Sequence, residues 1–301
     1  MASRTATHAN LHMPAGSTAR PPWELHLTRA RAGWSWASLR ILFLSPSQSH
    51  AFSTGDEELL VVPLAGSCAV TCGGEETSLR GRRDVFSGHA DCCYLPPGAD
   101  ATVSSRTGGR FAVAGARARL AHPFRTRRAQ EISVELRGAG NCSRRIVNYC
   151  MPGDFDADHL MVCEAFTPAG NWSSYPPHKH DEIRHGETAL EEIYYFEIAH
   201  GPDGDSDRDG VGVAYQRVYG TEARPLDLLA EVRDGDVVLV PHGYHGPSMA
   251  APGYDLYYLN VMAGPGERRW LVTDDPDHAW IRATWAGAPV DPRLVGTPPS
   301  G

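Results

Sequence analysis

Short apolar segments bounded by turn-forming residues recur along the chain, and they restrict its fold more than any other feature. They are rich in β-branched residues, have the length of strands, and end at glycine, proline or aspartate. They cover residues 59–64, 68–72, 110–115, 132–136, 160–167, 192–196, 211–219, 237–240 and 254–261. Residues 225–232 are interpreted instead as a short helix or a turn. Many short strands separated by turns are typical of sandwiches and barrels, so we predict an all-β fold.

The length of the chain and a faint internal repeat indicate two barrels. The 301 residues are about twice the roughly 150 of a typical domain. An acidic turn, a strand and a turn containing proline and glycine follow one another at 81–98 and again at 234–243. We expect a flexible N-terminal arm over 1–24, an N-terminal barrel over 25–140, a C-terminal barrel over 141–285 and a tail over 286–301.

Charge and hydropathy argue against several classes of function. The chain has 28 Lys and Arg against 36 Asp and Glu, a net charge of −8, which disfavours a nucleic-acid surface and an anionic membrane. The first 22 residues lack the apolar stretch of a secretory signal. No apolar run approaches the roughly 20 residues of a membrane span. We expect a soluble, cytoplasmic protein that binds neither nucleic acid nor membranes.

The cysteines and one acidic loop give weaker signals. The seven cysteines are odd in number and contain no Cys-x-x-Cys pair, so we expect reduced, buried thiols rather than disulfides or a thiolate zinc site.

Residues 200–210 are polar, acidic and glycine-rich, which predicts a long hairpin loop. Their aspartate spacing superficially resembles a calcium loop, but the closing glutamate is missing, so calcium binding is disfavoured.

Three histidines and a glutamate form the strongest candidate for a chemical site. His178 and His180 are two residues apart, so on a strand their imidazoles point to one face while Lys179 points to the other. Glu192 opens a strand-like segment that could pair beside them, and His245 follows a turn containing proline and glycine. This set predicts one divalent metal per chain. Imidazole suits zinc, manganese and ferrous iron alike, so the residues leave the metal open.

The joint pattern resembles the two cupin motifs, His-x-His followed by Glu and Gly-x5-Pro-x-Gly followed by His. More narrowly, the chain resembles the 5-deoxy-glucuronate isomerase family of myo-inositol catabolism over roughly residues 25–285. The segments that carry this resemblance are 138–144 (GAGNCSR), 174–181 (SYPPHKHD), 190–195 (LEEIYY), 216–219 (QRVY), 234–241 (DGDVVLVP), 243–245 (GYH), 252–265 (PGYDLYYLNVMAGP) and 275–280 (DPDHAW).

The resemblance implies a bicupin, with two jelly-roll-like β-barrel domains and metal in the C-terminal one. It implies His178, His180, Glu192 and His245 as the ligands, while Glu191 should face the other side of its strand as a solvated charge or an indirect support. The implied reaction is the aldose–ketose isomerisation of 5-deoxy-D-glucuronate to 5-dehydro-2-deoxy-D-gluconate, with no cofactor beyond the metal.

Such a reaction needs a group that moves a proton and a cation for the substrate carboxylate. Tyr254 and Tyr258 share one strand face with Asn260 by a period of two and are candidates for the first role, with barrel packing as the alternative. Arg217 is the first candidate for the cation and Lys179 a weaker one. The sequence leaves open which face of the strand that carries Arg217 points into the barrel.

Two departures from the family and two other functions also stay open. Phe196 and Glu197 stand where the family usually has His-Arg, and Gly246 stands where proline is usual, so a changed uronate substrate is conceivable. A metal-dependent cupin dioxygenase could use the same ligands but would consume oxygen. A non-catalytic sugar-binding cupin would show no turnover. We expect a homo-oligomer by analogy.

Overall fold

A computed structural model describes residues 11–199 and 212–295, and strands dominate its structure. The strands of the first half are β1 (His12–Met13), β2 (Trp23–Leu27), β3 (Ala37–Leu44), β4 (Gln48–Ser53), β5 (Glu57–Cys72), β6 (Glu75–Arg82), β7 (Cys92–Leu95), β8 (Asp100–Ser105), β9 (Gly109–Arg117) and β10 (Arg125–Arg127). A single turn of α-helix, α1 (Arg29–Ala32), lies between β2 and β3. The all-β prediction is confirmed.

The second half is built in the same way. Its strands are β11 (Ser133–Arg137), β12 (Arg144–Cys150), β13 (Met161–Thr167), β14 (Trp172–Ser173), β15 (His178–Lys179), β16 (Asp181–Arg184), β17 (Glu187–Ala189), β18 (Glu191–Ile198), β19 (Ala214–Thr221), β20 (Arg224–Val232), β21 (Val237–Val240), β22 (Tyr244–Ala250), β23 (Leu256–Ala263) and β24 (Thr273–Asp274). Short 3-10 helices lie at Ala129–Glu131, Gly140–Cys142, Ala279–Trp285 and Pro292–Leu294.

Antiparallel sheets of the first half form the N-terminal barrel. One sheet has the order β10-β7-β5-β9-β3-β2; β6 and β8 pair with β5, and β4 pairs with β8. The long strand β5 bends where its register with β9 shifts between Pro63 and Ala65. Leu59 and Val61 belong to the core inside this barrel, whereas Leu60 and Val62 pack in the larger core shared with the second half. The continuous apolar run of β5 therefore reflects burial of both strand faces.

The C-terminal barrel has two facing sheets, and these position the candidate ligands. One sheet has the order β1-β21-β18-β23-β13-β12-β11, and the other has the order β20-β19-β22-β15-β24 with β14 paired to β22. Side chains alternate along each strand between the barrel interior and its outer face. On β18 and β23 the outer face packs toward the N-terminal barrel, since Glu197 of β18 contacts Arg110 and Tyr257 of β23 bonds to Glu164, the partner of Arg82.

Strand β20 corrects the prediction of a helix or turn at residues 225–232. It pairs with β19 from Ala214 opposite Val232 to Thr221 opposite Arg224. Leu228, Ala230 and Val232 are buried, and the residues between them are exposed. The period of two is present in the sequence, but intervening charged residues and the leading proline obscure it.

The domain limits also differ from those expected. Residues 11–24 are not a free arm, because Leu11 is buried and His12–Met13 pair with Val237 and Val238 of the C-terminal barrel. This pairing covers the open edge of β21. Strand β11, expected in the N-terminal barrel, is instead the edge strand beside β12. The remainder of the arm, residues 1–10, and the acidic loop at 200–210 lie outside the described residues.

The C-terminal segment packs against the barrel rather than trailing from it. The Nδ2 atom of Asn171 donates to Asp291 at 2.9 Å, and the backbone N–H of Asp291 donates to Ser143 Oγ at 3.0 Å. All seven cysteines are free and buried, as predicted. Among the described residues, no helix has the length and apolarity needed to cross a membrane.

Candidate metal centre

The three histidines converge between the sheets of the C-terminal barrel. Strand β15 pairs with β22 so that His178 lies directly opposite His245. The ring centroids of His245 lie 4.5 Å from His178 and 4.7 Å from His180, and those of His178 and His180 are 6.2 Å apart. One nitrogen from each ring lies within 4.8 Å of the other two. Within residues 11–199 and 212–295, this is the one cluster of this kind that could hold a metal.

Glu192 reaches the histidines from the facing sheet. Its Oε2 atom lies 3.0 Å from Nε2 of His180 and 3.0 Å from Nε2 of His245. Strand β18 pairs with β21 and β23 rather than with the histidine strand. The carboxylate therefore arrives across the barrel interior, and not by strand pairing as the sequence suggested.

Burial sets the electrostatics of this centre. The four residues are between 0% and 8% exposed. Burial, followed by the neighbouring His245 and His180, holds the pKa of His178 well below its usual value. Burial opposes ionisation of Glu192, but His245 and His180 outweigh it and lower the pKa of this carboxyl group. The centre thus offers a neutral imidazole and an ionised carboxylate, both of which are suitable metal donors.

Hydrogen bonding supports the fit to a metal ion. Nδ1 of His178 lies 3.4 Å from the carbonyl oxygen of Pro176, which can only accept, so Nε2 keeps its lone pair. Nδ1 of His245 is buried without a hydrogen-bond partner among the described residues, and Nε2 has the Glu192 carboxylate 3.0 Å away but no well-directed hydrogen bond. Buried polar atoms are rarely left in this state. Three imidazoles and one carboxylate are a donor set that zinc, manganese and ferrous iron accept.

Hydroxyl groups lie beside the ligands on the barrel interior. Ser174 Oγ lies 3.1 Å from the hydroxyl of Tyr194 and 3.3 Å from that of Tyr258. The ring of Tyr194 is 6.1 Å from that of His245. Tyr194 was not singled out from the sequence, although a period of two from Glu192 leads to it. Ser174 had no such signal, since its position depends on a backbone with φ of 49°.

Gly246 explains one departure from the family pattern. Its φ is 98°, a left-handed conformation that favours glycine. A Cβ atom at this position would lie 1.8 Å from the carbonyl oxygen of Ser174. Glycine therefore allows the segment carrying Ser174 to approach β22, which carries His245.

The structure separates the predicted catalytic residues. Tyr258 faces the barrel interior beside Ser174. Tyr254 precedes β23 in a turn and is half-buried against the apolar core, so the alternation that aligned it with Tyr258 does not apply. Arg217 lies on the outer face of β19, where it forms an ion pair with Asp227. Gln216 faces the interior instead and is fully buried.

Two further charged positions lie away from the ligands. The ammonium group of Lys179 contacts Asp181 and Glu187 at 2.7 Å each, on the strand face opposite the histidines. Glu191 accepts hydrogen bonds at 2.9 Å from the backbone N–H groups of Ser35, Trp36 and Ala37. Glu191 therefore faces away from the metal centre, as predicted, and supports the packing of the two halves.

The second departure from the family pattern divides between the two faces of β18. Phe196 is fully buried on the interior face and stacks 5.9 Å from the ring of Tyr194. Glu197 lies on the outer face, 3.0 Å from a guanidinium nitrogen of Arg110 and 3.0 Å from the hydroxyl of Tyr195. Phe196 therefore shapes the interior near the site, whereas Glu197 contacts the N-terminal barrel.

The chain is similar in sequence to a known protein family and to named proteins. The model of the KduI/IolB family matches residues 11–281. Proteins named 5-deoxy-glucuronate isomerase from Geobacillus thermodenitrificans and Bacillus subtilis are 42% and 33% identical to this chain. Each alignment covers 85% of this chain, with 90% of the first relative and 91% of the second.

Solved structures resemble the chain along most of its length. An IolB-like protein from Salmonella typhimurium superposes with a TM-score of 0.81 at 35% identity, covering 90% of this chain and 98% of that one. An oxalate decarboxylase of Bacillus subtilis superposes with a TM-score of 0.60 at 12% identity, covering 88% of this chain and 79% of that one. The second likeness concerns the fold alone.

Proposed function

The chain belongs to the KduI/IolB family, and from this premise we propose that it is a 5-deoxy-glucuronate isomerase of inositol catabolism. It is a bicupin whose C-terminal barrel carries the reaction. The substrate is 5-deoxy-D-glucuronate and the product 5-dehydro-2-deoxy-D-gluconate. The observation that carries the proposal is the convergence of His178, His180, His245 and Glu192 in one buried centre.

The reaction is an internal transfer with no net oxidation. A proton leaves the carbon beside the aldehyde and is returned to the former aldehyde carbon, while the hydroxyl proton passes from the second oxygen to the first. His178, His180, Glu192 and His245 would hold a divalent ion, which would supply Lewis-acid stabilisation of the negative charge on these oxygens. Zinc, manganese and ferrous iron all suit the donor set.

Tyr258 is suited to the transfer between the two oxygens. Its hydroxyl group lies beside Ser174 Oγ on the interior face. Burial raises the pKa of Tyr258, so the phenol stays protonated near neutral pH and donates a hydrogen bond to a substrate oxygen. Ser174 Oγ can hold the Tyr258 hydroxyl in position and exchange a proton with it. Tyr258 is therefore a proton donor in this proposal rather than the base that abstracts the carbon-bound proton.

The proposal also includes the cellular compartment, the ligand and the oligomeric state of the enzyme. Seven free, buried cysteines are what a reducing compartment permits, which supports action in the cytoplasm. The ligand is a small uronate, and neither nucleic acid nor a membrane is required. A homo-oligomer accords with the family resemblance, and size-exclusion chromatography with light scattering tests it.

Anaerobic proton NMR in deuterated water tests the activity, with metal content measured on the same sample. Purified protein should convert the aldehyde-hydrate signals of 5-deoxy-glucuronate into those of a hydroxymethyl ketone. His245→Ala should abolish turnover and reduce bound metal. His185→Ala, at an exposed position, is the matched control and should retain both. A metal-loaded protein that leaves the spectrum unchanged would contradict the proposal, and oxygen uptake would then identify a dioxygenase.

A further inference from the structure

Two arginines share one face at the edge of the C-terminal barrel. Strands β11 and β12 pair so that Arg137 lies directly opposite Arg144. Side chains at such positions lie next to each other on the same face, and like charges there are destabilising. An anion between or beside two such groups relieves the repulsion by forming charge-assisted hydrogen bonds with them.

Arg144 is buried without a counter-ion among the described residues. It is 4% exposed, and its Nη1 atom donates to the carbonyl oxygens of Cys142 at 3.0 Å and Tyr175 at 3.5 Å. Within the described ranges, no carboxylate lies in ion-pair distance of Arg144. Burial, opposed by Tyr258 and reinforced by Arg137, lowers the pKa of Arg144 to about 10. Such a charge is favourable only when an anion or further acceptors complete its contacts.

Arg82 is a second buried arginine, and its guanidinium has a carboxylate partner. It is 7% exposed and forms a bidentate ion pair with Glu164, at 2.9 Å and 2.8 Å. Arg82 is thus satisfied within the protein, whereas Arg144 has carbonyl partners and the ring of Trp285 at 5.7 Å. The difference points to a ligand for Arg144 rather than to a purely structural role.

Arg137 is connected to the metal centre through one side chain, and Arg144 is connected to the hydroxyl groups beside that centre. The guanidinium of Arg137 lies 4.7 Å above the ring of Trp270, which lies 6.4 Å from the ring of His178. Arg144 contacts the carbonyl of Tyr175, and the preceding residue carries the hydroxyl that contacts Tyr258. A ligand bridging the arginines and the histidines would therefore lie along the barrel interior.

Other groups in this region also lack acceptors. Nδ2 of Asn260 and Nε1 of Trp270 are buried without hydrogen-bond partners among the described residues. A cavity of about 450 Å³ adjoins Arg144 without including it in the lining, because Cys142, Tyr175 and Trp285 line this cavity and also contact the guanidinium through two backbone carbonyls and a ring. Its size is within the range of small-molecule sites. The unused groups are all donors, so the matching ligand is rich in acceptors and anionic.

We propose that Arg144, assisted by Arg137, binds the carboxylate of the uronate substrate and so directs its aldehyde end to the metal centre. This inference rests on the proposed isomerase function. It replaces Arg217, which the structure places on the outer face in an ion pair with Asp227. Arg137 is half-exposed and also contacts the exposed Glu135, so its contribution is smaller than that of Arg144.

The test compares the wild type with Arg144→Gln, Arg144→Lys and Arg137→Gln in the isomerase assay, with Arg217→Gln as the control. Loss of charge-assisted hydrogen bonds should raise KM by about ten- to a hundredfold in Arg144→Gln. Arg144→Lys should recover part of the loss, and Arg137→Gln should show a smaller rise. Bound metal should stay at the wild-type level in each variant, which shows that the barrel is folded. An unchanged KM in Arg144→Gln would overturn the inference.

A binding experiment separates this inference from the isomerase proposal. Calorimetry with D-glucuronate and D-glucose should show that the wild type prefers the anionic sugar and that Arg144→Gln loses this preference. If the wild type fails to isomerise 5-deoxy-glucuronate but shows the preference, the isomerase proposal fails and carboxylate binding by Arg144 stands. If turnover is present and Arg144→Gln keeps the preference, the carboxylate-binding inference alone fails.

Discussion

Two adjacent glutamates at the start of β18 show how one residue of register separates chemistry from stability. Glu192 faces the barrel interior and contacts His180 and His245. Glu191 faces outward and accepts three backbone N–H groups near the start of β3. Because successive side chains of a strand alternate between faces, neither residue can take the role of the other. Substitutions at the two positions should therefore have different effects, on the metal centre for Glu192 and on stability for Glu191.

Replacing Glu192 by glutamine should remove the anionic donor of the metal centre while keeping its shape. We expect bound metal to fall at least about tenfold and turnover by about a hundredfold or more, because an amide oxygen is a weaker ligand and leaves the cation less neutralised. Elemental analysis of the purified variant and the anaerobic NMR assay measure both effects. Retention of full metal content and activity would exclude Glu192 as a ligand.

Replacing Glu191 by alanine should affect stability and leave the metal centre intact. Three backbone donors lose a carboxylate acceptor, and we expect the free energy of unfolding to fall by about 2 kcal/mol. Urea denaturation measures this loss. Metal content per folded protein should match that of the wild type, and a parallel loss of metal would contradict the separation of roles.

Among the elements, alternation within strands was predictable, but strand pairing was not. The spacing of His178 and His180, and the interior position of Glu192, follow from a period of two. Arg217 was misassigned because the sequence Gln-Arg-Val-Tyr alternates equally well with either face inward. The pairing of β1 with β21 joins residues more than 200 positions apart, and no local pattern specifies it.

The buried position of Arg144 also could not be predicted from the sequence of its own strand. A motif containing Arg144 contributed to the family resemblance, but its burial depends on the 3-10 helix Ala279–Trp285 and on the segment around Tyr175. Those elements are distant in sequence and become neighbours only in the folded chain. A buried cation without a carboxylate partner can therefore be recognised from the structure alone.

The docking of the C-terminal 3-10 helix Pro292–Leu294 should depend on pH. Hydrogen bonding to Arg293 lowers the pKa of Asp291 to about 2, below the roughly 3.9 of an unfolded aspartate. Because this pKa is lower in the folded state, the ionised carboxylate stabilises the folded state when the pH is above the pKa of the unfolded chain. This contribution is lost as the pH falls from about 4 toward 2. The stability difference between wild type and Asp291→Asn should shrink over that window. Urea denaturation at several pH values measures it, and a constant difference would contradict this linkage.

At the scale of the whole molecule, the N-terminal barrel supports the sheet that carries the site. Strands β18 and β23 present Glu192, Tyr194 and Tyr258 to the interior, and their outer faces contact the other half. Arg110 of the N-terminal barrel contacts Glu197 on β18, and the Arg82–Glu164 pair lies beside Tyr257 of β23. The interior residues of the site on β18 and β23 are therefore close in sequence to residues held by the N-terminal barrel. This accounts for a second barrel in which the described residues form no three-histidine cluster.

The buried pair between Arg82 and Glu164 tests this support. Glu164→Gln leaves the Arg82 guanidinium buried without its counter-ion, and we expect the free energy of unfolding to fall by about 3 kcal/mol. Replacing both residues, by Arg82→Met with Glu164→Leu, should recover part of that loss, since no charge is then left unpaired while the Tyr257 hydroxyl loses its acceptor. Urea denaturation of the two variants makes the comparison. If the double variant were as unstable as Glu164→Gln, packing and the Tyr257 hydrogen bond rather than charge pairing would join the barrels at this position.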